Sequence, residues 1–156
     1  MVHIITYLKV KNRWMYLSVN MDLYSRRIIA WMLAKTRTSA VAKRILRYAI
    51  RKRQPAAGLI LHTDRGIEYR SHAFQNALKR YGIRHSLNRL GHCTENAHME
   101  SYFHSMKAEL IRGRSYDCES ELRYDLARYI NEFYNTKRLH SGIGYYSPVE
   151  YEQLIA

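Results

Sequence analysis

The chain has 156 residues, about one domain, with 47% hydrophobic residues, two prolines and seven glycines, a balance that excludes a disordered or fibrous protein. Its 26 Lys and Arg against 13 Asp and Glu give a formal net charge of +13, so nucleic acid leads over an anionic membrane surface as partner. Only two cysteines, no apolar run near the roughly 20 residues of a membrane helix and no secretory-type start argue against a disulfide framework and a spanning segment, and fit a reducing cytoplasmic setting.

In chain order, His3 to Val10 and Arg13 to Leu23 are rich in β-branched and aromatic residues around a tight turn at Lys11-Asn12, which predicts a β-hairpin with Ile4 opposite about Val19. A third strand follows from about Arg27 to Leu33. Thr38-Ser39 then offers an N-cap for a helix carrying Val41, Ile45, Tyr48 and Ala49 at helical spacing up to Gln54-Pro55. Its other face holds Lys43, Arg44, Arg47, Arg51, Lys52 and Arg53, a pattern more often solvated than laid along DNA. Gly58 to His62 reads as a buried strand, Ser71 to Tyr81 as a helix stopped by Gly82, and Ile83 to Leu87 as another strand. Two longer helices are expected over Glu95 to Arg112 and Glu119 to Thr136, and Ser147-Pro148 opens a last short one. The chain opens directly in a strand, which points to the C-terminal part of something longer.

Three antiparallel strands followed by alternating helix and strand predict an α/β domain of the ribonuclease H-like kind: a mixed five-stranded sheet flanked by helices. Residues 1–156 are expected to form one domain that includes a C-terminal helical tail over residues 119–156.

Asp64 stands where a buried strand ends in a loop containing Gly66, a place from which a carboxylate can project from a rigid element and bind a hard cation. Taken alone, an Asp before a glycine is more often a turn residue. Downstream, Asn96, Glu100 and Lys107 fall on one face of the expected helix, with Met99, Phe103, Met106 and Leu110 as an apolar stripe about a quarter-turn away.

The segment His62-Thr63-Asp64-Arg65-Gly66, followed by Tyr69 and Ser71, resembles the surroundings of the second catalytic aspartate in the insertion-sequence transposases related to retroviral integrases. Asn96-Ala97-His98-Met99-Glu100-Ser101-Tyr102-Phe103 resembles the motif around their catalytic glutamate, and 35 residues separate Asp64 from Glu100, the family's spacing. Lys107 completes the pattern. Tyr129-Ile130, Phe133-Tyr134-Asn135, Arg138, His140-Ser141, Gly144-Tyr145 and Ser147-Pro148 resemble the family's closing motif. The resemblance covers about Ile5 to Glu152.

It implies DNA transposition or integration by metal-dependent phosphodiester cleavage and strand transfer. Two Mg2+ or Mn2+ ions would be held by acidic residues, with Asp64, Glu100 and Lys107 as catalytic residues, Asp64 and Glu100 among them as metal ligands, and Arg65, Asn96, Lys107, Arg138 and His140 as DNA contacts. It also implies DNA rather than a small molecule as substrate, a dimer or higher homo-oligomer, no membrane, and a place at the bacterial nucleoid. One residue departs from the pattern. The family's first catalytic aspartate directly precedes the equivalent of Ile5-Thr6-Tyr7, and that position is Ile4, which has no oxygen for a cation. Asp22, Glu68 and Glu95 are nearby acids, none of them read as a replacement. The expectation is therefore a transposase-type core that is degenerate at Ile4, with a non-catalytic DNA-binding regulator of the same fold and a ribonuclease H-like nuclease as alternatives.

Overall fold

Strands β1 (Val2–Val10) and β2 (Arg13–Met21) pair antiparallel around Lys11 and Asn12, with Lys11 at φ 49°, the left-handed conformation that tight hairpins favour. The register sets Ile4 opposite Val19, as the turn position predicts. Strand β3 (Ile28–Ala34) adds antiparallel to β2, with an irregularity at Asn20 and Met21. In this computed structural model, which describes residues 1–87 and 97–155, strands β4 (Ile60–Thr63) and β5 (Arg84–Leu87) extend the sheet in parallel, giving the order β3-β2-β1-β4-β5.

Alternation along the strands sends two apolar sets to opposite faces. Val2, Leu8, Leu17, Val19 and Met21 pack with α4 (Ala97–Met106) and α5 (Glu119–Arg128) through Met99, Met106, Leu122 and Leu126. On the other side Leu61 packs with Ala42 and Leu46 of α1 (Ser39–Arg53), Tyr69 of the single-turn α2 (Ile67–Arg70), and Phe74 and Leu78 of α3 (His72–Arg80). The Thr38 side chain caps α1 by accepting from the Val41 N–H, and Arg44, Arg47, Arg51 and Lys52 stay exposed.

Both longer helices differ from the expected continuous ones. The first passes into a π-helical turn at Lys107–Ile111 and the second into one at Tyr129–Tyr134. Each π turn inserts a residue and rotates the side chains beyond it. The two are tied together, since the Tyr129 hydroxyl donates to Glu109 at 2.7 Å. A long-range contact of this kind leaves no mark on local periodicity.

The C-terminal segment is pinned to β3 by Asn135, whose buried side chain accepts from the Ile28 N–H at 2.9 Å and donates to the Ile28 carbonyl at 3.0 Å. Helix α6 (Pro148–Leu154) starts with a reciprocal capping box between Ser147 and Glu150. Its Glu152 accepts hydrogen bonds from Arg53, Ser25 and Arg27. Burial alone would raise the Glu152 pKa, but those bonds outweigh it and hold the group down at about 2. A carboxylate depressed in the folded state stabilises above its unfolded pKa and ceases to do so as pH falls through the folded one. The thermal midpoint should therefore drop between about pH 4.5 and 2 more steeply in this chain than in Glu152→Gln; superimposable pH profiles would remove this ion cluster from the stability account.

Candidate active site

Asp64 follows β4 directly. Continuing the β1–β4 register of Val2 with His62 and His3 with Thr63 by one residue sets Ile4 beside Asp64. The position that the resemblance assigns to the first carboxylate and the one it assigns to the second are thus neighbours across two parallel strands. Ile4 packs against the cluster that also contains Met99 and Phe103 of α4, so the helix carrying Glu100 covers the sheet face on which Ile4 lies. Glu100 is exposed in the first turn of α4. Lys107 is half-buried, its ammonium 5.2 Å from the centre of the Tyr7 ring on β1, a cation–π contact.

The loop around Asp64 is built by residues distant in sequence. Asp64 Oδ1 accepts the Gly66 N–H at 2.8 Å. The Thr63 hydroxyl donates to the Asp64 carbonyl at 2.8 Å and lies 2.9 Å from His85 Nε2. With its single proton so used, Thr63 accepts from His85, which makes Nε2 the protonated nitrogen and Nδ1 the acceptor for the Gln75 amide at 2.9 Å. Burial, then the neighbouring His62, lowers the His85 pKa and favours this neutral ring. The chain Gln75–His85–Thr63 thereby fixes the strand end from which Asp64 projects.

Arg37, just before α1, reaches the same loop. Its Nε donates to Glu68 Oε1 at 2.7 Å, and its Nη2 lies 4.0 Å from Asp64 Oδ1. The Glu68 side chain is fully buried, whereas Arg37 is 40% exposed. A Cβ at Gly66 would collide with Arg37 Nη2 and Glu68 Oε1, so the pair closes over a glycine. Beneath it, Tyr69 stacks edge-on against His3 with ring centres 5.2 Å apart. Burial holds the His3 pKa near 3 and keeps that ring neutral. It raises the Tyr69 pKa well above the ordinary value, with the charges of Asp64 and Glu68 acting the same way.

Of the other residues singled out in the sequence, Arg65 is exposed beside Asp64, and Asn96 lies outside the described residues. Arg138 and His140 come together elsewhere, along a cleft bordered by α4. Arg138 forms a forked pair with Glu109, at 3.0 Å from Nε and 2.8 Å from Nη2. Asp22 accepts the Tyr24 N–H at 3.0 Å and sits 3.4 Å from Arg53, which gives it a turn-forming part. Sequence reading passed over Arg37, Gln75 and His85 because nothing in their local pattern connects them to Asp64.

A centre for two divalent cations needs several oxygen ligands held close together. Among the described residues no three His, Cys, Asp or Glu side chains converge as such a group. Ile4 contributes only hydrocarbon next to Asp64, and the Arg37 guanidinium already faces that carboxylate. The residues present do not fit a complete two-ion centre.

A mixed sheet of order β3-β2-β1-β4-β5 between helices, with an acid at the end of β4, defines the ribonuclease H-like class of catalytic cores. Solved structures agree. The chain superposes on the simian T-cell lymphotropic virus intasome in complex with PP2A regulatory subunit B56 gamma with TM-score 0.78 and 22% identity, over 96% of this chain and 52% of that one. It superposes on the catalytic core domain of HTLV-2 integrase in complex with magnesium with TM-score 0.62 and 17% identity, over 95% and 90%. The catalytic domain of Mos1 mariner transposase gives TM-score 0.68 and 15% identity over 83% and 68%.

The chain belongs to the integrase core domain family, whose descriptions match residues 4–93 and residues 81–148. It is 36% identical over 95% of its length to the transposase for insertion sequence element IS904 of Lactococcus lactis subsp. lactis (strain IL1403), covering 58% of that protein. It is 39% identical over 95% of its length to transposase InsF for insertion sequence IS3A of Escherichia coli (strain K12), covering 51% of it. The chain therefore spans about half the length of the curated relatives it matches. None of its described helices is long and apolar enough to cross a membrane.

Proposed function

We propose that this chain is a DNA-binding core of the insertion-sequence transposase kind whose strand-transfer chemistry is disabled at one carboxylate position. The observation that carries this reading is the parallel β1–β4 register, His3 with Thr63, whose continuation by one residue supports Ile4 as the neighbour of Asp64. Asp64 and Glu100 retain the acids of β4 and α4, and Mg2+ or Mn2+ is the cation they would hold. Ile4 leaves that centre short of an oxygen. The net charge of +13 supports DNA as partner, with Arg65 next to Asp64 in sequence, Lys107 over the Tyr7 ring of β1, and Asn96 a further contact from the sequence pattern. A homodimer or larger assembly is the expected partner state, supported by the dimeric and trimeric forms described for the HTLV-2 integrase catalytic core domain.

The test is fluorescence anisotropy of a labelled duplex, together with strand transfer in Mg2+ or Mn2+. Phosphate-dominated binding through 6–10 contacts loses about 10³–10⁵ in affinity between 50 and 200 mM salt. A loss of that order is expected, with no joined product. Binding that is flat in salt would sink the DNA reading, and efficient joining by the unaltered chain would sink the disabled-centre reading.

A further inference from the structure

A cleft of about 530 Å³ runs between α4, the β2–β3 turn at Arg26 and the C-terminal loop around residues 138–145. It is distinct from the Asp64 loop. Its α4 residues His98, Ser101, Tyr102 and Ser105 lie roughly 100° to 200° around the helix from Glu100, at about 100° per residue. Arg26, Arg138, His98 and His140 line it, and no Asp or Glu does among the described residues.

Three independent features of this cleft suit an anion. Arg26 Nη1 is buried and makes no hydrogen bond, and Arg26 forms no ion pair among the described residues, whereas the Arg138 charge is offset by Glu109. Arg26 as a whole is only partly buried, but a buried guanidinium nitrogen without a partner is costly, and a bound anion removes that cost. Tyr102, only 3% exposed, lines the same cleft with its hydroxyl buried and unpartnered. Two of the four non-glycine residues with positive φ among the described residues also line it, Arg26 at 62° and Tyr145 at 63°. Backbone held in that region gathers at ligand-binding sites, where the surrounding structure enforces it.

We propose that this cleft binds a phosphate group through Arg26 and the Tyr102 hydroxyl, and that the phosphate is a phosphodiester of a DNA strand running across the face of α4 opposite Glu100. A guanidinium matches phosphate oxygens in a bidentate way. The Ser101 and Ser105 hydroxyls and the His98 imidazole line the same cleft and add further donors. Tyr145, 69% exposed at the rim, offers a ring for an adjoining sugar or base. The choice of DNA over a free phosphate rests on the DNA-binding reading above; the phosphate chemistry of the cleft does not.

The experiment compares the full chain with Arg26→Gln, Tyr102→Phe and Arg47→Gln, the last removing an exposed cation on α1. Duplex affinity is measured by anisotropy from 50 to 200 mM salt, and thermal stability is measured in inorganic phosphate against chloride at equal ionic strength. For Arg26→Gln the slope of log K against log salt should fall by about 0.9, one phosphate contact, with affinity reduced about tenfold at low salt. Tyr102→Phe should weaken binding several-fold with the slope unchanged. Arg47→Gln should change neither. Equal effects of Arg26→Gln and Arg47→Gln would mean a general charge effect and overturn the site. Stabilisation by inorganic phosphate that depends on Arg26, with DNA binding unaltered in Arg26→Gln, would overturn the assignment to a DNA strand. If the unaltered chain binds no duplex while phosphate stabilises it through Arg26, the DNA-binding reading fails and the phosphate cleft stands.

Discussion

Ile4→Asp is expected to tighten Mn2+ binding by at least about a hundredfold and to bring strand transfer up from background. Loss of a residue that merely orients a metal ligand costs about 10–100-fold in affinity, so restoring a ligand should return that much or more. Two dications held about 3.5–4 Å apart need carboxylates to offset their repulsion. An aspartate at position 4 would supply one beside Asp64, where the register already places it. The substitution has a structural cost, because Ile4 packs against the core shared with α4. A loss of about 1–3 kcal/mol is the ordinary range for such a change, and thermal denaturation establishes that the variant is folded. Calorimetry with Mn2+ is the primary readout, and adding Asp64→Asn should abolish the gain. Since the chain spans 58% and 51% of two curated relatives, the metal titration stands apart from any need of strand transfer for other segments. Unchanged Mn2+ affinity in a folded Ile4→Asp variant would falsify the disabled-centre account.

Arg37→Met should destabilise the fold by about 2–3 kcal/mol in urea denaturation. Removing one partner of a buried ion pair typically costs about 3–5 kcal/mol, because the other charge is left without compensation. Here Glu68 is fully buried but Arg37 is 40% exposed, so water softens the loss and the lower figure applies. The double variant Arg37→Met with Glu68→Leu removes both charges and should recover most of that stability. The same pair closes over Gly66 and faces Asp64, so the single variant should also loosen the Asp64 loop, read as faster amide exchange at Gly66. A loss below about 1 kcal/mol in the single variant, with no recovery in the double, would show that the pair is only a surface contact.

How much of this was legible beforehand differs by scale. The hairpin turn at Lys11 and Asn12, the Thr38 cap, the short helix opened by Ser147 and Pro148 and the apolar stripe of Met99, Phe103, Met106 and Leu110 all appear as expected, since each depends on residues within a few positions of one another. The pairing of Ile4 with Val19 followed from the same locality. The two π-helical turns were not legible, because the Tyr129–Glu109 and Arg138–Glu109 contacts that join them connect separate segments. Nor was the support of Asp64, where Arg37, Gln75 and His85 arrive from three different elements.

The sequence by itself determined the order of strands and helices, the acids at positions 64 and 100, and the missing one at position 4. Hydrophobic period, turn chemistry and motif spacing are properties of neighbouring residues and survive in one dimension. Only the tertiary structure decided that β1 pairs in parallel with the strand that leads into Asp64, that Arg37 faces that carboxylate, and that Arg26, Tyr102 and Tyr145 border one cleft. The parallel pairing of β1 with β4 and the docking of the C-terminal segment on α4 are long-range choices made by burial of the whole core, and they bring these residues together.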